Sequence, residues 1–547
     1  MRKKKMLCQR AALFGMLAAL TLSASALAGC GEKNPDAEPT PTGEAQGTGT
    51  PAPADGTPQP TDEAEPTPYE ELDISYKRVS VHDPSIIKAD DTYYIFGSHK
   101  AWAKSKDLIR WEIFRNNINS NLGALFGDIW EDWSKTASNP DMGGNMWAPD
   151  VIYNEALGKY CMYMSVNGND WNSVITLLTA DEIEGPYEYV GPVVYSGFNT
   201  GSHPAEKTDV YQVLGEGADL TRYQNTSVNK INAIDPCVKY DENGDLWMVY
   251  GSWFGGLYML KLDAETGLRD YTETYETVTD VSDAYLGIKI AGGHGVSGEG
   301  PYIIHAGDYY YLFVSYGGLD AEKGYQMRVY RSEKITGPYV DQNGASAIYT
   351  KAENNLFSKV GIRLMSSYKL AGNFETHVAQ GHNSALVDDD GKIYLVYHTR
   401  FAGGKGGNKE AHEVRVQQLF INQDGWLIAA PYEYSGESLP ETNLTMEQMC
   451  GEYEFIVHDP QIYYTILIGE PAGIVDTLLI RLNEDGTVTG DAEGTWTWTD
   501  GKADMTITVD GVEYKGYFLR QATEGIHKIV TVFTALGDNT CVWGSQK

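Results

Sequence analysis

The chain is poor in basic residues and, after its first thirty residues, in long apolar runs. Its 547 residues include 42 Lys and Arg against 75 Asp and Glu, which gives a net charge of −33. Such a surface repels polyanions over the ~10 Å Debye length, so nucleic acid is not an expected partner and a neutral substrate is favoured. No later stretch approaches the roughly eighteen apolar residues of a membrane-spanning helix.

Cysteine is also scarce, with six residues in the chain. Cys161 and Cys237 lie in strand-like runs and are expected to be buried thiols. Cys450 and Cys541 bracket the last ~100 residues, where they either pair in an oxidising compartment or remain lone thiols. The sequence leaves both alternatives open.

The N-terminal residues resemble a bacterial lipoprotein signal. Five Lys and Arg precede an apolar run that is too short for a stable membrane span. The run ends in "LAGC", so residues 1–29 are expected to be removed and Cys30 to carry lipid; secretory cleavage with a spare cysteine is the alternative. Removal leaves a mature chain of about −38. Residues 30–70 are rich in Pro, Thr and Glu, which predicts a disordered tether to the cell envelope and an extracellular location.

Five similar segments recur between residues 81 and 401. Each contains a short apolar run, a polar or Gly-containing turn and an aromatic-rich strand, which predicts a β-hairpin. Repeats at intervals of roughly 65 to 90 residues, with little helical periodicity, are typical of propeller blades. Residues 71–438 therefore predict an all-β fold, a five-bladed β-propeller. The segments are "VHDPSIIKADDTYYIFGSH" (81–99), "APDVIYNEALGKYCMYMSV" (148–166), "IDPCVKYDENGDLWMVYGS" (234–252), "GPYIIHAGDYYYLFVSYGG" (300–318) and "NSALVDDDGKIYLVYHTRF" (383–401).

The pattern changes near residue 439 to short strands joined by tight turns. Residues 439–547 predict a small antiparallel β-barrel or sandwich. In "GTWTWTD", Trp496 and Trp498 fall on one face of a strand, which serves a core as well as a glycan-binding surface. We favour a domain that buttresses the propeller over one that binds glycan.

Acidic residues stand where three of the hairpins begin. The first strand of each blade starts near the axis, so positions 83, 150, 235, 299 to 300 and 383 are expected to converge. Glycoside hydrolysis needs one carboxyl to protonate the leaving oxygen and another to activate water, ~6.5–9.5 Å apart for inversion. The candidates are Asp83, Asp235 and Glu299. The alternative is that Asp-Pro merely opens a strand, as Asp459 in a further "HDP" outside the repeat is interpreted to do.

Several separated motifs together resemble glycoside hydrolase family 43, over residues 75 to about 435. They are "HDPSII", "MWAPDV", "NAIDPCV", "GSWFGG", "SGEGPYI" and "GHNSAL". The family comprises five-bladed propellers that act on arabinans, xylans and related glycans. The resemblance implies that Asp83 is the general base, that Glu299 is the general acid and that Asp235 tunes the pKa of the acid. "NAID" and "GSWFGG" are most similar to endo-α-1,5-arabinanases, some of which carry a C-terminal β-barrel.

The resemblance also implies substrate contacts and a metal site. Aromatic faces pack against sugar rings, although most aromatic residues of such a chain pack strands. Arg400 pairs either with a catalytic carboxylate or with a strand edge. A calcium-centred, water-rich channel site is implied at His382, although calcium prefers oxygen ligands and a satisfied channel histidine is the alternative. The residues expected to contact substrate are His82, Trp147, Gly168, Asn232, Ser252, Trp253, Phe254 and Arg400.

The expected protein is a monomeric, envelope-anchored endo-arabinanase that hydrolyses plant cell-wall arabinan or arabino-oligosaccharides with inversion. One alternative is an exo-acting arabinofuranosidase or β-xylosidase of the same family. Another is a non-catalytic glycan-binding lipoprotein, which would not need a spaced acid and base. The long loops 113–146 and 196–231 either extend an open groove or wall off one end of it, and the sequence does not decide between them.

Overall fold

The computed structural model describes most of the chain after the tether. The expected signal segment, the tether with Cys30, and Asp459 lie outside the described residues, as do parts of the two long loops. All described residues fall in one compact unit. Within them, no helix is long and apolar enough to cross a membrane. The described residues are 74–126, 141–168, 172–198, 204–224, 231–295, 297–351, 360–436, 442–458, 473–525 and 527–547.

Five antiparallel sheets form the blades of a propeller, which confirms the predicted fold. In the described residues, each sheet follows chain order except the third, whose order is β12-β13-β11-β10-β9. The strands are, in blade 1, β1 Ser85–Ala89, β2 Thr92–Gly97, β3 Ala101–Ser105 and β4 Glu112–Phe114; in blade 2, β5 Met146–Asn154, β6 Lys159–Val166, β7 Ser173–Ala180 and β8 Glu188–Ser196; in blade 3, β9 Cys237–Tyr240, β10 Leu246–Tyr250, β11 Leu257–Leu262, β12 Ser282–Asp283 and β13 Gly287–Ala291; in blade 4, β14 Glu299–Ala306, β15 Tyr309–Tyr316 and β16 Gln326–Ser332; in blade 5, β17 His377–Val387, β18 Ile393–Phe401, β19 His412–Ile421 and β20 Leu427–Ala429.

The hydrophobic core lies between neighbouring blades. Strands such as β2 and β7 are buried at every position, because each blade is covered on both faces, and this accounts for their nearly continuous apolar and aromatic sequences. Phe96 of blade 1 packs in one cluster with Met162 of blade 2. Ile95 of blade 1 packs with Val396 of blade 5, which closes the ring.

The C-terminal strands form a closed antiparallel barrel. Trp496 is 3% exposed, packs in the barrel core and donates its indole N–H to the Asn483 carbonyl over 2.9 Å. Trp498 is half-buried against the same core. The Trp pair therefore serves mainly the core. The strands are β21 Gly451–Val457, β22 Leu478–Leu482, β23 Thr487–Gly490, β24 Gly494–Trp498, β25 Asp504–Val509, β26 Val512–Ala522, β27 Ile529–Gly537 and β28 Thr540–Gln546.

Short helices lie in the connections between strands. They are the α-helices α1 Leu122–Phe126, α2 Val210–Leu214, α3 Thr221–Gln224 and α4 Met446–Met449, with 3-10 turns at Ser98–Lys100, Asn117–Asn119, Gly143–Asn145 and Ala205–Lys207. All four cysteines of the described residues are free. Cys161 and Cys237 are buried, as predicted, and Cys450 and Cys541 remain lone thiols.

A buried polar cluster joins the barrel to blade 5. Glu524 of the barrel lies 3.2 Å from Nε2 of His377, the first residue of β17. Its other oxygen accepts the backbone N–H of Glu433 over 3.3 Å, and the Glu433 carboxylate lies 3.4 Å from the guanidinium of buried Arg415. Because unpaired buried charges are costly, these contacts fix the barrel against the blade.

Candidate active site

In each blade, one residue in the left-handed conformation lies inside the first strand or two residues before it and lines the axis of the propeller; we term it the mouth residue of that blade. The conformation is costly for residues other than glycine, so neighbouring contacts must hold each mouth residue in place. The mouth residues and their successors line one narrow axial cavity. The φ angles are 52° at Asp83, 35° at Ala148, 58° at Asp235, 57° at Gly300 and 44° at His382. The successors are Pro84, Pro149, Pro236, Pro301 and Asn383.

The expected convergence of position 150 at the mouth is wrong. Blade 2 presents Ala148, because the pair Ala148-Pro149 stands where blades 1 and 3 have Asp-Pro and blade 4 has Gly-Pro. The fully buried Asp150 carboxylate instead accepts hydrogen bonds from Ser85 Oγ (2.5 Å) and from the Val238 backbone N–H (2.6 Å). These bonds tie blades 1, 2 and 3 together below the mouth.

Asp83 is held by histidines and a serine. Its Oδ2 accepts a hydrogen bond from Ser98 Oγ over 2.5 Å and lies 2.8 Å from His82 Nδ1. Its Oδ1 lies 3.0 Å from His382 Nδ1. Burial favours the neutral acid, but His382 and His82 outweigh it and hold the pKa of Asp83 well below its ordinary value. The carboxylate is therefore ionised at neutral pH, as a general base must be.

Glu299 begins β14, and its carboxyl accepts three hydrogen bonds. Tyr325 donates its hydroxyl to Oε1 over 2.7 Å. Trp253 donates its indole N–H to Oε2 over 2.5 Å, and Ser252 donates its hydroxyl to the same oxygen over 3.3 Å. Three donors from two blades fix the direction of this carboxyl, and Glu299 is more exposed than the other two acidic candidates.

Asp235 and His382 complete the charged cluster. Burial raises the pKa of Asp235 to about 7; His382 opposes the rise, and the negative charges of Glu299 and Asp83 add to it. Burial lowers the pKa of His382, but Asp83, Asp235 and Glu299 outweigh it and raise that pKa above the ordinary value. With a pKa raised to about 7, Asp235 itself retains a proton in part of the population at neutral pH.

His382 and Tyr325 link the carboxyl of Asp83 to that of Glu299. The Tyr325 hydroxyl lies 3.5 Å from His382 Nδ1, and these two side chains contact Glu299 and Asp83 respectively. The structure thus brings together the three predicted acidic residues, and the Asp235 carboxyl accepts the Gly300 backbone N–H over 3.1 Å.

The predicted substrate-contact residues occupy different environments. His82, Ser252 and Trp253 contact the carboxyls directly, as described above. Asn232 is 2% exposed, and its amide bonds to Ser173 (2.6 Å) and Asn167 (3.2 Å), so its polar atoms serve the protein interior. Trp147 and Phe254 are half-buried, and Gly168 is buried.

Arg400 contacts neither Asp83 nor Glu299. Its Nε donates to the Leu319 carbonyl over 2.7 Å, and a second nitrogen donates to the Glu410 carbonyl. Its third nitrogen lies 3.5 Å from His82 Nε2, which is its link to the site. Arg400 therefore connects the loops that contain Leu319 and Glu410, and it reaches the site only through His82.

Three site residues were missed from the sequence: Ser98, which donates to the Asp83 carboxylate, Tyr325 and His398. Tyr325 lies outside the five hairpin repeats, so the repeat gave no signal for it. His398 stands inside the fifth repeat, at the point where the other four have serine, and this departure from the repeat is the signal that would have identified it. Tyr325 is buried beside Glu299, and His398 is buried beside Asp83.

The propeller and the barrel each match a domain of one protein family. Residues 76–203 and 215–427 match "Glycosyl hydrolases family 43". Residues 431–544 match "C-terminal lipocalin-like domain" of the same family. The first match covers more than half of the chain, and it includes all three acidic candidates.

Curated relatives extend the similarity across both domains. An extracellular endo-α-(1→5)-L-arabinanase of Thermotoga petrophila is 38% identical over 483 residues, which cover 86% of this chain and 94% of the relative. Extracellular endo-α-(1→5)-L-arabinanase 2 of Bacillus subtilis is 38% identical over 485 residues, with the same coverage. The crystal structure of an endo-1,5-α-L-arabinanase from T. petrophila superposes with a TM-score of 0.70 at 37% identity, covering 86% of this chain and 99% of that one. The chain therefore belongs to glycosyl hydrolase family 43 and is a glycosidase with the C-terminal lipocalin-like domain of that family.

Proposed function

We propose that this glycosidase is an extracellular endo-arabinanase that hydrolyses α-1,5-linked L-arabinan with inversion at the anomeric carbon. The assignment of the substrate rests on the 38% identity to two curated endo-arabinanases, over nearly the whole length of each. The chemistry is supported by the site itself, where an ionised carboxylate and a carboxyl held by three donors share one axial mouth.

In the proposed reaction, Asp83 is the general base. A water beside its carboxylate attacks the anomeric carbon and transfers a proton to Asp83 as the new C–O bond forms. Ser98 and the two contacting histidines keep the carboxylate ionised and oriented until the attack. Because attack comes from the face opposite the leaving group, the configuration at that carbon inverts.

Glu299 is the general acid. It protonates the O5 oxygen of the leaving arabinofuranosyl chain as the glycosidic bond breaks. Its three hydrogen-bond donors fix the direction from which the proton is delivered. Asp235 is the buried partner that keeps a proton in the cluster near neutral pH, and after turnover the proton on Asp83 returns to solvent while Glu299 is reprotonated.

The axis also has the donor chemistry for a hydrated calcium ion. Asn383 is 2% exposed and lines the axial cavity, and within the described part of the chain neither its amide oxygen nor its nitrogen has a hydrogen-bond partner. Calcium takes oxygen ligands and commonly retains waters. Asn383 and His382 are therefore the residues that would hold the ion, directly or through water. When bound, the ion supplies positive charge that favours ionised carboxylates around the mouth.

The same proposal places the enzyme outside the cell on a lipid anchor. Both curated relatives are named as extracellular. The lipobox-like "LAGC" and the Pro-, Thr- and Glu-rich residues that follow it support attachment through Cys30 on a flexible tether. A tether of this kind lets the mouth reach an insoluble polymer while the protein stays on its cell. We expect the catalytic unit to act as a monomer.

The product profile tests the function. A soluble form comprising residues 70–547 is incubated with linear and branched arabinan, and with xylan as the control substrate. We expect a spread of short arabino-oligosaccharides from linear arabinan and none from xylan. Single arabinose as the first product would instead establish exo action, and binding without any product would reduce the protein to a glycan-capture role. Proton NMR of the first products distinguishes inversion from retention.

A further inference from the structure

Serine recurs at one point of the repeat, within two residues of the end of the second strand of a blade. Ser98, Ser165, Ser252 and Ser315 occupy it in blades 1 to 4. In three cases the hydroxyl accepts the backbone N–H of the mouth residue in the next blade, and we term such a contact a clasp. The clasps run from Ala148 to Ser98 (2.8 Å), from Asp235 to Ser165 (2.9 Å) and from His382 to Ser315 (2.7 Å).

The clasp between blade 5 and blade 1 is a histidine. His398 occupies the serine position in "VYH", and its Nδ1 accepts the backbone N–H of Asp83 over 3.4 Å. The side chain is fully buried. An imidazole is longer than a serine hydroxyl and presents a flat face as well as an acceptor, so one residue can hold the backbone of Asp83 and pack against side chains beyond it.

The faces of the His398 ring meet the groups that hold the two catalytic carboxyls. Its centroid lies 4.1 Å from that of His82, with the planes 27° apart. Its centroid lies 5.8 Å from that of Tyr325, with the planes 24° apart. His82 in turn contacts Asp83, and Tyr325 donates to Glu299. A single buried ring therefore touches the supports of both base and acid.

We propose that His398 is the positioning residue of the general base: its Nδ1 holds the left-handed backbone of Asp83 and its face holds His82 against the Asp83 carboxylate. The inference rests on the proposed function, because it assigns the role for the reaction in which Asp83 activates water. Acceptance by Nδ1 requires a neutral ring with its proton on Nε2. Burial and the nearby His82 lower the pKa of His398 well below its ordinary value, which agrees with a neutral ring.

Three substitutions separate the acceptor from the ring. His398→Asn places an amide oxygen where Nδ1 stands, so it keeps the acceptor and loses the ring. His398→Gln places its amide near the position of Nε2, which has no hydrogen-bond partner among the described residues. His398→Phe keeps a flat ring of similar volume and loses the acceptor. The kinetic constants kcat and KM are measured for each on linear arabinan, together with Tm.

We expect His398→Phe to lower kcat about 100-fold with KM changed by less than about threefold, because displacement of a catalytic group by about 1 Å costs that much in rate. His398→Asn should retain about tenfold more kcat than His398→Gln, because only Asn presents an acceptor to the Asp83 N–H. If His398 served only to fill space, His398→Phe would keep the highest kcat of the three variants, and His398→Asn and His398→Gln would have equal kcat. Either of those results would overturn the proposal.

His458 is the matched control. It is also a fully buried histidine whose Nδ1 accepts a backbone N–H, that of Ser366, over 2.9 Å, and it packs on Trp543 with centroids 4.2 Å apart. It lies at the barrel, away from the mouth. His458→Phe should lower Tm as much as His398→Phe and leave kcat within about threefold of wild type. If wild type itself releases no arabino-oligosaccharide, the proposed function fails; if wild type is active and His398→Phe keeps its kcat, only the positioning role fails.

Discussion

Trp253 donates its indole N–H to Oε2 of Glu299 over 2.5 Å, while Tyr325 donates its hydroxyl to Oε1 over 2.7 Å. The Trp253 backbone is itself fixed, because its N–H donates to the Gly298 carbonyl over 2.7 Å. Each oxygen of the Glu299 carboxyl therefore accepts a hydrogen bond from an aromatic side chain, one of blade 3 and one of blade 4.

Trp253→Phe tests the hydrogen bond from the indole to Glu299. Loss of the indole donor leaves a ring in place but releases Oε2, so we expect kcat on arabinan to fall about 10- to 100-fold, with a smaller change in KM. Steady-state kinetics measure the change. Trp247→Phe is the control, because this tryptophan of the same blade donates to Asp241 over 3.2 Å and contacts none of the catalytic carboxyls. Equal losses in the two variants would argue against a specific role for Trp253.

Asp83→Asn and Glu299→Gln should both lower kcat on arabinan by about 10²- to 10⁴-fold, but for different reasons. A substrate whose leaving group needs no protonation, such as a 4-nitrophenyl arabino-oligosaccharide, should restore much of the rate to Glu299→Gln. It should restore none to Asp83→Asn, since water still lacks its base. Parallel assays with the natural and the activated substrate make the comparison, and rescue of the Asp83 variant alone would exchange the two roles.

Asn383→Leu addresses the proposed calcium site. Removing a buried amide without partners should leave the chelator-treated protein as stable as wild type or slightly more stable. Calcium at 100 times its Kd stabilises a protein by about 2.7 kcal/mol, so wild type should show a clear rise in Tm on calcium addition and the variant a smaller one. Scanning calorimetry with and without calcium measures both effects, and isothermal titration gives the affinities. An identical calcium response in the two proteins would remove Asn383 from the site.

Glu524→Gln concerns the junction between barrel and propeller. Burial raises the pKa of Glu524, but the charge and hydrogen bond of His377 outweigh it and lower the pKa to about 2. A lowered folded-state pKa contributes stability above the unfolded value, near 4.3, and this contribution is lost as the pH falls towards 2. Glu524→Gln should therefore be less stable than wild type at pH 7, by at most about 3 kcal/mol, and the difference should shrink by pH 3.

Denaturant midpoints at pH 7 and pH 3 measure this convergence. Glu493→Gln provides a control on an exposed barrel turn. A Glu524 effect that is constant with pH would show that the side chain acts through shape and not through its charge.

The hairpin repeat was sufficient to predict the blades, because alternating turns and buried aromatic strands are local properties of the sequence. It also located Asp83, Asp235 and Glu299 at the mouth. It misplaced the mouth position of blade 2 by two residues, because Asp150 has the acidic side chain of Asp83 and Asp235 while Ala148-Pro149 occupies the place of their Asp-Pro pairs. Tyr325 gave no signal in the repeat, because it stands just before β16 and reaches Glu299 of β14 across the intervening strand β15.

The five mouth positions carry Asp, Ala, Asp, Gly and His on nearly the same backbone. Two of them therefore contribute almost no side chain, and a Cβ at Gly300 would stand 2.9 Å from the His382 ring. The ring of five mouth positions thus carries titratable side chains in blades 1, 3 and 5, and leaves space beside them in blades 2 and 4, where the residues are small. Replacing Ala148 by a larger residue would therefore change the shape of the mouth without removing any catalytic side chain.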